Sequence, residues 1–158
     1  MNRLSKLGLA AVCSVAAVTV ALAQPAPPTP EQMAQNAVKT RKGLFDVQSF
    51  SFGPVGAMLR GAPFNQAAVV KAAQRVEFTA GLIPEVFQND TRKFQVETKA
   101  REGIWTNKSD FEAKAKDLLD AATALETAAK TGDEAATKKA AGAVGKACGA
   151  CHDQFRDK

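Results

Sequence analysis

The chemistry-bearing residues of this chain gather in one stretch, Cys148-Gly149-Ala150-Cys151-His152. Cysteines three positions apart, followed at once by histidine, form the attachment signature of c-type haem. Each thiol adds across a vinyl group of the porphyrin to give a thioether, and the adjacent imidazole lies under the iron as an axial ligand. His152 is the only histidine in the sequence, so no other imidazole competes for that place. Two other chemistries use similar spacing. A thioredoxin-like dithiol would accompany a βαβ pattern, and none is visible. A structural zinc site wants four ligands, usually Cys or His. Here two cysteines and one histidine would need a carboxylate to complete the set.

Residues 1–23 read as a secretory signal peptide. Arg3 and Lys6 supply a positive start, a mostly apolar run follows, and Ala21-Leu22-Ala23 is an A-x-A cleavage site. The mature chain is then expected to begin at Gln24. The apolar run is short for a membrane span and leads into Pro, Ala and Thr rather than a basic flank, so no span is expected after cleavage. Cys13 leaves with the peptide, and haem attachment at Cys148 and Cys151 leaves no thiol for a disulfide framework. Export fits the chemistry, because bacteria attach c-type haem on the periplasmic side of the membrane. The expected location is the periplasm.

Formal charge is +5, from 21 basic and 16 acidic residues. Loss of Arg3 and Lys6 lowers this to +3, and two ionised haem propionates would bring it to about +1. No basic run or aromatic-interleaved patch stands out, so nucleic acid is not an expected partner. The length suffices for one domain with its own core, expected over residues 31–158.

The elements that must position the motif read as helices. Residues 24–30 form a Pro-rich leader, and a first helix can start with Thr29 as cap and Pro30 at its first position. Its apolar stripe reads Met33, Ala37, Leu44, Phe45, Phe52, Val55 and Leu59, with Arg41 on the same line. Pro54 beside Gly53 is expected to kink or interrupt it. Asn65 can cap a second helix that turns Val69, Ala72, Ala73, Val76, Ala80, Ile83 and Phe87 inward. A polar connection over residues 88–108 has one apolar anchor, Ile104-Trp105. Ser109 and Glu112 read as a capping box before Phe111, Ala115, Leu118, Leu119, Ala122, Leu125 and Ala129. Asp133 can cap a last helix with Ala136, Ala140, Val144, Ala147, Cys148, Cys151, His152 and Phe155 on one face. Four amphipathic helices without a strand pattern predict an all-α, antiparallel up-down-up-down four-helix bundle around a covalent haem.

The segment Gly145-Lys146-Ala147-Cys148-Gly149-Ala150-Cys151-His152-Asp153-Gln154-Phe155-Arg156 resembles the end of the class II c-type cytochromes, which comprise cytochromes c-prime and their low-spin relatives. Ile104-Trp105 followed by Phe111, and the segment from Arg41 to Phe45, resemble the same family. The resemblance implies one haem c on Cys148 and Cys151, His152 as proximal iron ligand, and often a homodimer through the first two helices. It places Arg41 near the propionates, where a guanidinium can pair with carboxylate. It places Arg156 beside the proximal face. By register from Arg41, it puts Phe45 where low-spin members carry a ligating methionine. Phenylalanine has no lone pair to donate, and Met33 and Met58 lie roughly 18 Å and 20 Å away along a helix.

Three functions follow from that arrangement. The leading one is a non-enzymatic, five-coordinate, high-spin protein that binds small gases, nitric oxide first. An apolar distal face offers polarised dioxygen no hydrogen bond, which disfavours stable oxygenation. The alternative is a periplasmic electron carrier serving a redox partner protein, with Phe45 as packing. A weak peroxidase ranks last, since no distal His/Arg pair is evident.

Overall fold

The computed structural model describes residues 26–158. The expected signal segment and its cleavage site lie outside the described residues. Helix α1 (Pro30–Leu59) starts at a capping box. Gln32 N–H donates to Thr29 Oγ1 at 3.3 Å, and Thr29 N–H donates to Gln32 Oε1 at 2.8 Å. The helix runs uninterrupted through Pro54. Proline deprives the carbonyl four residues earlier of its donor, but both Pro54 and Phe50 lie on the exposed side, where water can take that place.

The inward face of α1 differs from the expected stripe. Ala34, Val38, Arg41, Gln48, Ser51, Val55 and Met58 are buried, whereas Met33, Phe45 and Leu59 are exposed. The helix carries large apolar side chains on two faces, and three-and-four spacing fits either register.

Helix α2 (Gln66–Val86) is capped by Asn65, whose Oδ1 accepts from Ala68 N–H at 3.0 Å. Its inward set is the expected one, Phe87 included just past the helix end, with Thr79 buried as well. A four-residue helix, α3 (Gly103–Thr106), forms inside the long connection and buries Ile104. Helix α4 (Lys108–Lys130) begins before the anticipated capping box, which does not form. Phe111 N–H already bonds Asn107 O at 3.1 Å, so Ser109 lies within the helix, and Glu112 pairs instead with Lys108 at 3.5 Å. Helix α5 (Glu134–Phe155) is capped by Asp133, with Ala136 N–H donating to its Oδ1 at 3.0 Å. Ala136 itself is exposed, and the buried face is Thr137, Ala141, Val144 and Phe155.

The four long helices make an antiparallel up-down-up-down bundle. Contacts are extensive between α1 and α2, α2 and α4, and α4 and α5, but sparse between α1 and α5. One end of the bundle is solid. There Val55 and Met58 meet Val69, Leu125, Ala129 and Ala141 in a single core cluster, each at most 1% exposed. The two turns at that end use Gly61 (φ +98°) and Gly132 (φ +78°), conformations glycine adopts without a Cβ clash. The other end is held apart along the α1–α5 seam.

Candidate functional site

A cavity of about 560 Å³ occupies the open end. Helix α1 lines it with Val38, Arg41, Phe45, Gln48 and Phe52, and α5 lines it with Val144, Cys148, Cys151, His152, Phe155 and Arg156. Helical spacing explains both sets, since residues three and four apart share a face. Helices α2 and α4 contribute Val76, Ile83, Phe87, Phe111, Ala115 and Leu118. All six residues singled out from the sequence (Arg41, Phe45, Cys148, Cys151, His152 and Arg156) therefore border one space.

An aromatic chain frames that space. Ring centroids of Phe45 and Phe87 are 6.2 Å apart, those of Phe87 and Phe111 5.0 Å, and those of Phe111 and Phe155 5.3 Å. The last two pairs meet edge to face, a favoured aromatic geometry. Trp105 joins Phe87 at 6.3 Å and donates its indole N–H to Phe87 O at 3.0 Å. The anchor expected at Ile104-Trp105 thus holds the end of α2.

Cys148 and Cys151 are half-buried, with burial pushing both thiols above their ordinary pKa and Cys148 adding to the effect on Cys151. Such thiols stay protonated at neutral pH. A redox dithiol would show the opposite, a thiolate favoured by its surroundings. Partial burial pushes His152 below its usual pKa, Arg156 adds to that, and Asp153 opposes it. Its ring is therefore neutral at pH 7, with a nitrogen lone pair available to a metal. Among the described residues no group of three or more His, Cys, Asp and Glu side chains is placed to hold a metal ion.

The end of α5 is pinned by the connection that precedes α3. Arg101 N–H bonds Phe155 O at 3.0 Å, Asp157 N–H bonds Lys99 O at 2.9 Å, and Arg101 reaches Asp157 Oδ1 at 2.9 Å and Asp153 O at 2.8 Å. These bonds fix the helix turn that carries His152.

Arg41 is 3% exposed and tied down by protein. Its Nε–H donates to Val86 O at 2.9 Å, one terminal nitrogen to Thr91 Oγ1 at 3.0 Å, and the other to Asn89 O. The guanidinium carbon stands 4.7 Å from the Phe87 ring centre and 5.3 Å from that of Trp105. Burial lowers its pKa, and Asp90 partly offsets that. Three of its five N–H groups are used, leaving one on each terminal nitrogen for a carboxylate. Other charged side chains bordering the cavity are Lys42, Asp46, Lys99, Lys114 and Arg156, a mainly basic set.

The sequence model of the family described as Cytochrome C' matches residues 36–156. The chain belongs to the cytochrome c' family. It is 35% identical to cytochrome c' of Cereibacter sphaeroides over 79% of this chain and 85% of that protein. It is also 30% identical to cytochrome c-554 of the same species, over 87% and 91%. The crystal structure of cytochrome c' from Rubrivivax gelatinosus superposes with a TM-score of 0.71 at 33% identity, covering 78% of this chain and 97% of that one. A nitric oxide complex of a cytochrome c prime variant from Alcaligenes xylosoxidans aligns with a TM-score of 0.70 at 28% identity, over 79% and 97%. Members of the cytochrome c' family carry one covalently attached haem c.

The cavity suits that group. Its volume lies within the usual range for ligand pockets, roughly 300–1,000 Å³. Both thiols and the imidazole come from α5, α1 sets Val38, Phe45 and Phe52 among polar neighbours, and cationic side chains are at hand for propionates. Sequence reading missed Val38, Gln48 and the three lysines. Gln48 lies three residues after Phe45 and seven after Arg41, so its helical register pointed here, but its polar amide reads as surface.

Because the bonds of Arg41 to Val86, Asn89 and Thr91 need no cofactor, Arg41→Lys should weaken the fold even without haem. Loss of the forked donor should cost the haem-free chain about 2–4 kcal/mol in urea unfolding. An unchanged midpoint and slope would mean that those bonds contribute nothing to stability.

Proposed function

We propose that this cytochrome c' is exported, bears one haem c on Cys148 and Cys151 with His152 as its protein axial ligand, and binds small uncharged gases, nitric oxide foremost, without being an enzyme. The observation that carries the reading is the lining of the cavity. Among the described residues bordering the cavity there is no methionine, tyrosine or second histidine, and Phe45 is one of the α1 side chains that border it. Met58 is 1% exposed inside the core cluster, and Met33 is 50% exposed and outside the cavity. An unbroken α1 keeps both where their helical distance puts them.

When bound, the haem supplies an iron centre that takes up a small neutral ligand on its open side. The chain does the rest. His152 offers a neutral imidazole, Phe45 and Phe52 limit the size of what can enter, and the cationic border including Arg41 and Arg156 favours the propionate charges. Similarity to the Alcaligenes protein, solved as a nitric oxide complex, supports nitric oxide as the first ligand to try. The electron-transfer reading rests on the same cavity and differs in having the sixth position filled.

Protein recovered from the periplasm of a strain competent for cytochrome c maturation should begin at Gln24 and weigh one haem more than its chain. His152→Ala should abolish the wild-type spectrum. A mature chain with free thiols, or a His152→Ala spectrum identical to wild type, would reject the assignment.

Ferric and ferrous wild-type protein should give high-spin optical spectra. Phe45→Met places a thioether within the cavity and should shift the haem towards six-coordinate, low-spin, with slower carbon monoxide binding. Since Phe45 is 36% exposed, Phe45→Ala should cost less than the roughly 3–5 kcal/mol of a buried phenylalanine, while speeding ligand entry. A wild type already low-spin would favour the electron carrier.

Helices α1 and α2 leave Phe50 77%, Phe78 70% and Val47 55% exposed, and we assign these surfaces to a homodimer. Sedimentation should show a dimer in wild type and a monomer in the Phe50→Glu/Phe78→Glu double variant. Monomeric wild type at micromolar concentration would refute it.

A further inference from the structure

Gln48 is the anomaly of the cavity wall. It is 8% exposed, and its Oε1 is sealed from solvent without a hydrogen-bond partner, alone among the buried side-chain polar atoms of the described residues. Leaving an acceptor unpaired costs about 1–3 kcal/mol, and a leucine of similar size would avoid it. Nor is the surrounding wall a natural home for an amide. Its neighbours along the helix are Phe45 one turn before and Phe52 one turn after, and all three border the cavity. The sealed oxygen does not face that space; the amide nitrogen is not among the sealed atoms and makes no hydrogen bond to the protein, so its N–H is the end of the side chain free to serve the cavity.

We propose that Gln48 is the hydrogen-bonding group of the iron's open face, and that it discriminates among small ligands by donating an N–H to those with partial negative charge on their outer atom. The proposal rests on the gas-binding reading above and alters one part of it. The distal wall is not purely apolar, so ligand preference follows polarity as well as size. Phe45 sets the size limit from its place beside Phe87, and Gln48 adds a polar contact one turn further along the same face. No bond is made or broken in the protein by this contact, and no proton changes owner.

The test uses the intact haem-loaded protein with carbon monoxide as the probe of the ferrous state. In wild type, moving from H₂O to D₂O should shift the carbon monoxide stretching band, because the donor is exchangeable. Gln48→Leu should raise the stretching frequency, remove its deuterium sensitivity and speed carbon monoxide release roughly two- to tenfold, the value of one net hydrogen bond. The same variant should unfold at an equal or higher denaturant concentration than wild type, because an unpaired acceptor has gone. A structural role for the amide predicts the reverse, a weaker fold with an unaltered stretch. A wild-type band insensitive to D₂O, or a Gln48→Leu band at the wild-type frequency, overturns the proposal while leaving gas binding intact. Wild-type protein that takes up no carbon monoxide overturns both.

Discussion

Everything at the working end of this bundle depends on one seam staying open. Three of the four helix pairs around the ring close with extensive contact, and at one end Val55, Met58, Val69, Leu125 and Ala141 belong to the same buried core. That packed end secures the helix positions, so α1 and α5 can part at the other end without the bundle falling open. The small residues of α5 contribute. Gly142, Gly145, Ala147 and Gly149 carry little or no side chain on α5, whereas leucines at the same positions would add bulk along that helix. Alanine's helix propensity keeps α5 helical despite the modest burial there. Propensity and space therefore favour the same residue.

The open end still needs walls that hold their shape. On one side the aromatic chain from Phe45 through Phe87 and Phe111 to Phe155 links α1, α2, α4 and α5 around the cavity. On the other, Arg41 binds three groups of the segment that follows α2 while its plane lies near Phe87 and Trp105. A buried guanidinium is tolerated only with such partners. The family resemblance gave Arg41 a role toward propionates. The structure adds an earlier one, tying the connection to α1 before any cofactor arrives. Both fit a five-donor side chain, whereas lysine lacks the fork to serve them together.

How much of this was legible beforehand depends on how one-sided each helix is. Helices α2 and α4 bury one largely apolar face, and their inward residues were read correctly except that Leu119 is only partly buried and Thr79 is buried too. Helix α1 was partly misread because Met33, Phe45 and Leu59, expected on the inner stripe, are exposed. Its true inner face includes Arg41, Gln48 and Ser51, which hydropathy counts as surface. The capping box at Ser109 failed for a different reason. Asn107 O already accepts from Phe111 N–H, so the helix had started two residues sooner. The motif residues were found because covalent chemistry demands their identity and spacing, independent of packing.

The two faces of α1 also explain why Phe45 and Gln48 belong to one argument. A helix that offers Phe50 and Val47 outward and Val38, Arg41, Gln48 and Phe52 to the cavity has Phe45 at the boundary between them. From there its ring can touch Phe87 at 6.2 Å and still meet solvent. It is a partial cover, not a plug. Gln48, further round and 8% exposed, is shielded from bulk water by the same wall. A hydrogen bond made there competes with little water and is stronger than one made at the surface. A partly exposed ring beside an amide that is kept dry gives the cavity wall two chemically different groups on one helix, one apolar and one polar.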